Sequence, residues 1–328
     1  MAWVPPNVTV YDPSVSDPLT TGNFLSSTQK PLECPETKST VHYIMVCLDL
    51  IVSLAGLAGN GLVLWILGFR LERPPLTLYI LHLAIADSCY LLCQIGLSFL
   101  VILQLVRYDI IIRKVLFTVS LFTFSLGLGL LSALSTERCL TILFPIWHRC
   151  HRPKSLSANV CALLWVLDAL LILLCVFFCE LTVHSKVCIT VLAVWSSLVA
   201  LMLFLVVLSN IALLISIRCR SQRRQPSRLY VTILLNILVF LFCATPFGIN
   251  KLISLWVNCT PSHYFLASQF LSCLNSSANP VIYVLVGRWG KRRSHEPLAR
   301  VLHKAFEDHP EPRELGETST TATTEVSS

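Results

Sequence analysis

The feature that most constrains this chain is a set of seven apolar stretches, each long enough to cross a bilayer as a helix. A helix rises about 1.5 Å per residue and the hydrocarbon core is about 30 Å thick, so one crossing takes roughly 20 apolar residues. The stretches fall at about residues 43–68, 76–104, 115–143, 157–179, 189–217, 229–257 and 264–286, each end set to within a few residues. Composition agrees: 55% of the 328 residues are hydrophobic and 13% are charged, against about 25% charged in an ordinary soluble domain. In lipid, backbone polar groups must be satisfied inside the spanning structure, which makes runs of this length helical. The expected fold is an all-α membrane protein, a seven-transmembrane helix bundle.

An odd number of crossings puts the two termini on opposite sides. Short connections on the cytoplasmic side collect Lys and Arg. One side here carries Arg70 and Arg73; Arg149, Arg152 and Lys154; Arg218, Arg220, Arg223, Arg224 and Arg228; and Arg288, Lys291, Arg292 and Arg293. The other side has about half as many. That places the C-terminus in the cytoplasm and the N-terminus outside, in a multi-pass plasma-membrane protein. The net charge of +7 then belongs largely to residues flanking the membrane and implies contact with lipid headgroups, not with nucleic acid.

Four regions follow: an extracellular tail over 1–42, the bundle over 43–287, a surface helix over 288–306 and a disordered cytoplasmic tail over 307–328. The first 40 residues hold Pro, Ser and Thr and little that could form a core. They have no basic start followed by an apolar run, so the first helix is the expected insertion signal. Asn7-Val8-Thr9 fits the glycosylation pattern in the right compartment. Asn258-Cys259-Thr260 also fits it but crowds a helix end. Trp289, Leu298, Val301, Leu302, Ala305 and Phe306, interleaved with basic residues, predict an amphipathic helix lying on the membrane. No Cys follows Cys273, which excludes a palmitoyl anchor there. The hydroxyl cluster from Thr318 to Ser328 reads equally as a phosphorylation site for an arrestin-type partner or as a solvated end.

Polar side chains inside a bilayer are costly, so each needs a partner or a role. Asp87 on the second helix, Asn60 on the first, and Asn275, Ser276 and Asn279 on the seventh form a candidate polar centre. One reading is a hydrogen-bond network that holds the helices in register. The other, favoured because three helices supply matched groups, is a switch. Glu137-Arg138 at the end of the third helix pairs an acid and a base at the cytoplasmic lip, where Arg could be held in one state and released in another. The plain alternative is an Arg that snorkels to headgroups. Pro246 in the sixth helix and Pro280 in the seventh each remove an intrahelical hydrogen bond and mark candidate hinges, although Pro is tolerated in membrane helices without that duty.

These residues, in this order, resemble the rhodopsin-like G protein-coupled receptors over residues 43 to about 306. Ser135-Thr136-Glu137-Arg138-Cys139-Leu140, the run Phe144 to Pro153, Pro246-Phe247-Gly248-Ile249 and Leu274 to Pro280 are similar to the Mas-related subfamily. The resemblance implies a cell-surface receptor of a sensory or immune kind that turns binding of a small molecule or peptide into G-protein activation. Gq is the branch it most implies, and Arg138 and Tyr283 take part in activation. This sequence departs from the family pattern at Cys139, which ends Glu137-Arg138-Cys139 instead of the usual Asp-Arg-Tyr. It departs again at Ala244, where a toggling Trp is usual, and at Gly127, which offers no hydroxyl to a sodium ion.

The family's usual bridge from the third helix to the second extracellular loop has no Cys here, since none lies between Cys93 and Cys139. The resemblance to Mas-related receptors implies instead a Cys179–Cys188 bond on the oxidising side. A Cys34–Cys259 bond stands open against two free thiols. The short loop between Cys179 and Cys188 implies a shallow, open pocket with Asp168, Glu180 and Lys251 as candidate ligand contacts. Lys251 either faces the pocket, paired with Asp168 or a ligand carboxylate, or snorkels outward. Acids that serve cationic ligands in some relatives are replaced here by Cys175 and Leu192.

Other classes fit less well. A small-solute transporter is the alternative, but internal repeats are its signature and none is found. A retinal-binding protein would need a Lys in the seventh helix, and residues 264–286 have none. The nine His are scattered mostly in loops and tail, giving no metal site and no catalytic set. The expectation is a non-enzymatic receptor without a cofactor.

Overall fold

The computed structural model describes residues 40–69, 75–103, 110–153, 155–181, 185–220, 228–256 and 262–288. The first three membrane helices are Thr40–Phe69, Pro75–Ile102 and Ile110–Leu143. A short helix, Pro145–Cys150, leads to the fourth, Leu156–Cys175, which continues as a wider π-helical segment over Val176–Leu181. The fifth is Ser185–Arg220. The sixth runs Arg228–Val239, a π segment over Phe240–Ala244, then Thr245–Trp256; the seventh is Ser262–Arg288. The third and fifth helices start before, and the fifth also ends after, the apolar stretches that announce them. Backbone hydrogen bonding does not stop where the lipid does.

Among the described residues, five helices are long and apolar enough to span on that ground alone: Thr40–Gly68, Thr77–Ile102, Ile110–Thr141, Leu156–Cys179 and Lys186–Ala212. The seventh takes its place through packing against the first, second and sixth. The reason is visible on the seventh: Ser268, Ser272, Asn275, Ser276 and Asn279 are buried against neighbouring helices, while Val281 and Leu285 face outward. A polar face turned inward lowers the hydropathy of a helix that still shows lipid an apolar surface.

The first helix packs on the second and seventh, the second on the third, the third on the fourth and fifth, and the sixth on the seventh. Of the third helix's apolar window 61% is buried, against 6% for the fourth. The third is therefore the central post and the fourth a peripheral one. Tyr79, Tyr90, Leu126, Leu130, Leu134, Phe247 and Tyr283 form part of one continuous core. Outward-facing Ile51, Trp65, Leu163, Val166, Ile189 and Phe204 would be a liability in water and suit lipid.

A Cβ built on Gly56 would lie 2.1 Å from Ser277 Oγ, so the first and seventh helices meet at a distance only glycine permits. At the other end of the bundle from Glu137, Cys179 and Cys188 are bonded, tying the fourth helix to the fifth. Cys34, Cys259, Asn7, the 288–306 segment beyond Arg288 and the 307–328 tail lie outside the described residues.

Candidate functional site

The polar centre begins with a consequence of Pro280. Proline has no N–H, so the Ser276 carbonyl four residues earlier loses its helical donor. Asn60 on the first helix fills that place: its Nδ2 donates to the Ser276 carbonyl at 2.9 Å and to the Gly56 carbonyl at 3.0 Å. One side chain thus repairs the break and ties two helices together, the way a membrane bundle tolerates proline. Asn279 Nδ2 donates to Asp87 Oδ2 at 2.6 Å, bringing in the second helix. Asp87, Asn60, Ser276, Asn279 and Asn275 are all buried. Gly127 lies near Leu83, whose Cδ1 would be 3.8 Å from an added Cβ.

At the far end of the third helix, Glu137 and Arg138 are 6% and 4% exposed. The Glu137 carboxylate is engaged by a residue outside the helix. Arg152, just after the short helix, donates from Nε to Glu137 Oε1 at 2.7 Å and also from Nη2. Ser157 at the start of the fourth helix accepts from Arg152 at 2.5 Å and donates to Glu137 Oε2 at 3.3 Å. His148 Nε2 lies 3.9 Å from the same carboxylate. One turn deeper, Ser135 bonds Ser209 at 2.7 Å and accepts from Asn210 at 3.1 Å, joining the third helix to the fifth. Arg138 therefore sits between an acid clamped by the following loop and a polar link to the fifth helix.

Pro246 explains the widened segment before it. Its ring excludes the carbonyl of Phe242 from regular α geometry, and the backbone over Phe240–Ala244 relaxes into a π turn. With Ala244 where a large aromatic is usual, the bundle centre is filled one turn later. Phe247 stacks edge-on against Phe124 at 5.0 Å and against Tyr90 at 6.4 Å, linking the sixth, third and second helices. Tyr283, 1% exposed, completes the core on the seventh.

The three candidate ligand contacts do not come together among the described side chains. Both oxygens of Asp168 are 2.8 Å from the Ser125 hydroxyl of the third helix. The side chains of Lys251 and Glu180 lie outside the described residues. Sequence reasoning also missed Asp49, a buried acid on the first helix whose carboxyl meets the Cys273 thiol. Its signal was plain: an acid inside the first apolar run. Ser135, Ser209, Arg152 and Ser157 were missed because small hydroxyls and loop arginines carry no signal of their own, whereas Asn210, an amide inside the fifth span, carried the same signal as Asn60.

The fold and this geometry define a class, and comparison with known proteins agrees. The family described as 7 transmembrane receptor (rhodopsin family) matches residues 59–283. The chain is 42% identical to a human Mas-related G-protein coupled receptor member X1, covering 93% of this chain and 94% of the relative. It is 39% identical to the mouse member X1 over 96% of this chain and 98% of that protein. A macaque member D is 41% identical over 88% of this chain and 93% of the relative. The chain belongs to the Mas-related G-protein coupled receptors of the rhodopsin family. It is accordingly a multi-pass cell-surface receptor and not an enzyme, and the transporter alternative has no support.

Proposed function

We propose that this receptor sits in the plasma membrane with its N-terminus outside and the Glu137–Arg138 end of the bundle in the cytoplasm. There it activates a heterotrimeric G protein, the Gq branch foremost, when an extracellular small molecule or peptide binds at the opposite end. The observation that carries this reading is Arg138: a buried guanidinium at the helix end, beside an acid clamped by Arg152. A cation held at a helix end beside a clamped acid suits a group kept in one state and released in another.

The path between the two ends runs through weakened backbone. The π turn before Pro246 and the proline-interrupted segment at Pro280 are where the sixth and seventh helices can bend. Phe247 and the Asp87–Asn279 bond lie beside those points and would report a ligand-driven shift to the cytoplasmic end. An outward swing of the sixth helix there would uncover Arg138 for the G protein. Lys251 and Glu180 are the proposed contacts for a water-borne ligand near the Cys179–Cys188 bond. The amphipathic 288–306 segment would rest on the inner leaflet, and phosphorylation of the Thr318–Ser328 cluster would recruit an arrestin-type partner. Asn7 is a proposed glycosylation site, and a Cys34–Cys259 bond would tether the tail.

The test is calcium release in transfected cells against a ligand panel, with Arg138→Ala at matched surface expression. Agonist response is expected in the wild type and lost in the variant. A response undiminished in Arg138→Ala would remove that residue from the mechanism, and coupling seen only through other branches would overturn the Gq assignment.

A further inference from the structure

We propose that a membrane-facing crevice between the third, fourth and fifth helices binds a lipid-dissolved amino alcohol, its ammonium held by Asp168 and its chain lying along the lipid-exposed wall. The crevice is lined by Ser125, Gly129, Leu167, Asp168, Leu171 and Trp195 among others, is partly open, and has a volume of about 40 Å³. On the same measure one water needs roughly 10–15 Å³. The crevice therefore takes a small polar head, and any longer body must run out over the rim.

Three observations fix the chemistry. First, Asp168 sits on a helix whose apolar window is only 6% buried, flanked by outward-facing Val166 and Leu170, which are 67% and 52% exposed. An acid there is expensive unless something answers it. Second, its answer within the protein is thin. The Ser125 hydroxyl has one proton, and the Leu121 and Phe122 carbonyls at 3.0 and 3.1 Å compete for it. A carboxylate offers about four acceptor sites, so an ammonium with several donors complements what Ser125 leaves open. Third, Trp195 lines the same crevice at 7% exposure, and its indole nitrogen is buried with no hydrogen-bond partner. That N–H asks for an acceptor oxygen next to the cation, and the indole face favours the cation itself.

Depth selects the source. Asp168 lies twelve residues into a helix that starts at Leu156, roughly 18 Å along its axis. That is near mid-membrane and out of reach of phospholipid headgroups. A neutral amine partitions to that depth, and on arrival its nitrogen shares or takes the carboxyl proton. No bond other than N–H and O–H changes.

The experiment uses the full-length receptor in phosphatidylcholine nanodiscs, a long-chain 2-amino alcohol bearing a diazirine, and the same chain ending in a plain alcohol. After irradiation, mass spectrometry should place the amine probe on peptides covering 164–171 and 195–202. Labelling should fall roughly tenfold in Asp168→Asn, the size of one charge-assisted hydrogen bond, and comparably in Leu167→Trp. Leu167 is 37% exposed on the rim, so the larger ring should block entry without disturbing the core. Unchanged labelling in Asp168→Asn overturns the site. Equal labelling by the plain alcohol returns the crevice to acyl-chain packing. Should Asp168→Asn fail to accumulate, labelling retained in Leu167→Trp overturns it alone. None of these readouts depends on G-protein coupling.

Discussion

Gly56→Ala is expected to loosen the receptor by an amount the geometry sets. The added methyl would lie 2.1 Å from Ser277 Oγ, 2.7 Å from Ser277 Cβ and 2.9 Å from Leu91 Cδ1, where ordinary contact begins near 3.4 Å. Ser277 cannot swing clear, because its own Cβ is too close and its hydroxyl bonds the Val52 carbonyl at 3.1 Å. The first and seventh helices must separate by roughly 1 Å, an overpacking cost of about 1–3 kcal/mol. One turn along, the Asn60 bond to the Ser276 carbonyl at 2.9 Å would stretch past hydrogen-bonding range. The carbonyl that Pro280 leaves without a donor would then be unsatisfied, adding about 1–3 kcal/mol. Together these predict a fall in Tm of roughly 4–24 °C, using the about 2–4 °C per kcal/mol typical of larger domains. The assay is thermal unfolding of purified receptor in detergent. Ser277→Gly in the Gly56→Ala background should restore most of the loss. Gly61→Ala is the control, since nothing lies within 4 Å of its would-be Cβ. A Gly56→Ala protein within a degree of wild type, or a double variant with no recovery, would refute the close-approach argument.

Arg152→Ala should lower thermal stability more than Glu137→Gln. It strands a carboxylate in a pair whose side chains are each 7% exposed, where breaking such a pair costs about 3–5 kcal/mol; equal melting of the two variants would count against the clamp. Asp87→Ala should cost about 1–3 kcal/mol by leaving the Asn279 donor unanswered, while Asp87→Asn keeps an acceptor and should reach wild-type surface levels. Surface labelling and agonist-evoked calcium separate a structural role for Asp87 from a switching one. Cys179→Ser should reduce surface expression or ligand response, because the Cys179–Cys188 bond ties the end of the fourth helix to the start of the fifth; normal values of both would contradict that.

What the sequence made legible is what lipid enforces. A bilayer leaves helices as the one option for long apolar runs, and it makes Asp87, Asn60 and Asn279 conspicuous by their cost. Their meeting followed from depth alone. The link from Pro280 through the Ser276 carbonyl to Asn60 did not, because a proline says which acceptor is freed and not which neighbour answers it. Arg152 was hidden for a different reason: it looked like one of many basic residues flanking the membrane, and only the fold-back of the short helix carries it to Glu137. Asp168 stands out in the sequence as an acid within a span, but its bond to Ser125 of the third helix depends on how the fourth helix packs. Ala244 announced a missing aromatic, but that Phe247 fills the space depends on the π turn that Pro246 induces.

The account rests on the Glu137–Arg138 end of the bundle facing the cytosol. Epitope tags at the two termini, read by antibody in intact and permeabilised cells, test this without any ligand. The N-terminal tag should stain in intact cells and the C-terminal tag only after permeabilisation. A C-terminal tag that stains intact cells would contradict the topology and the coupling built on it.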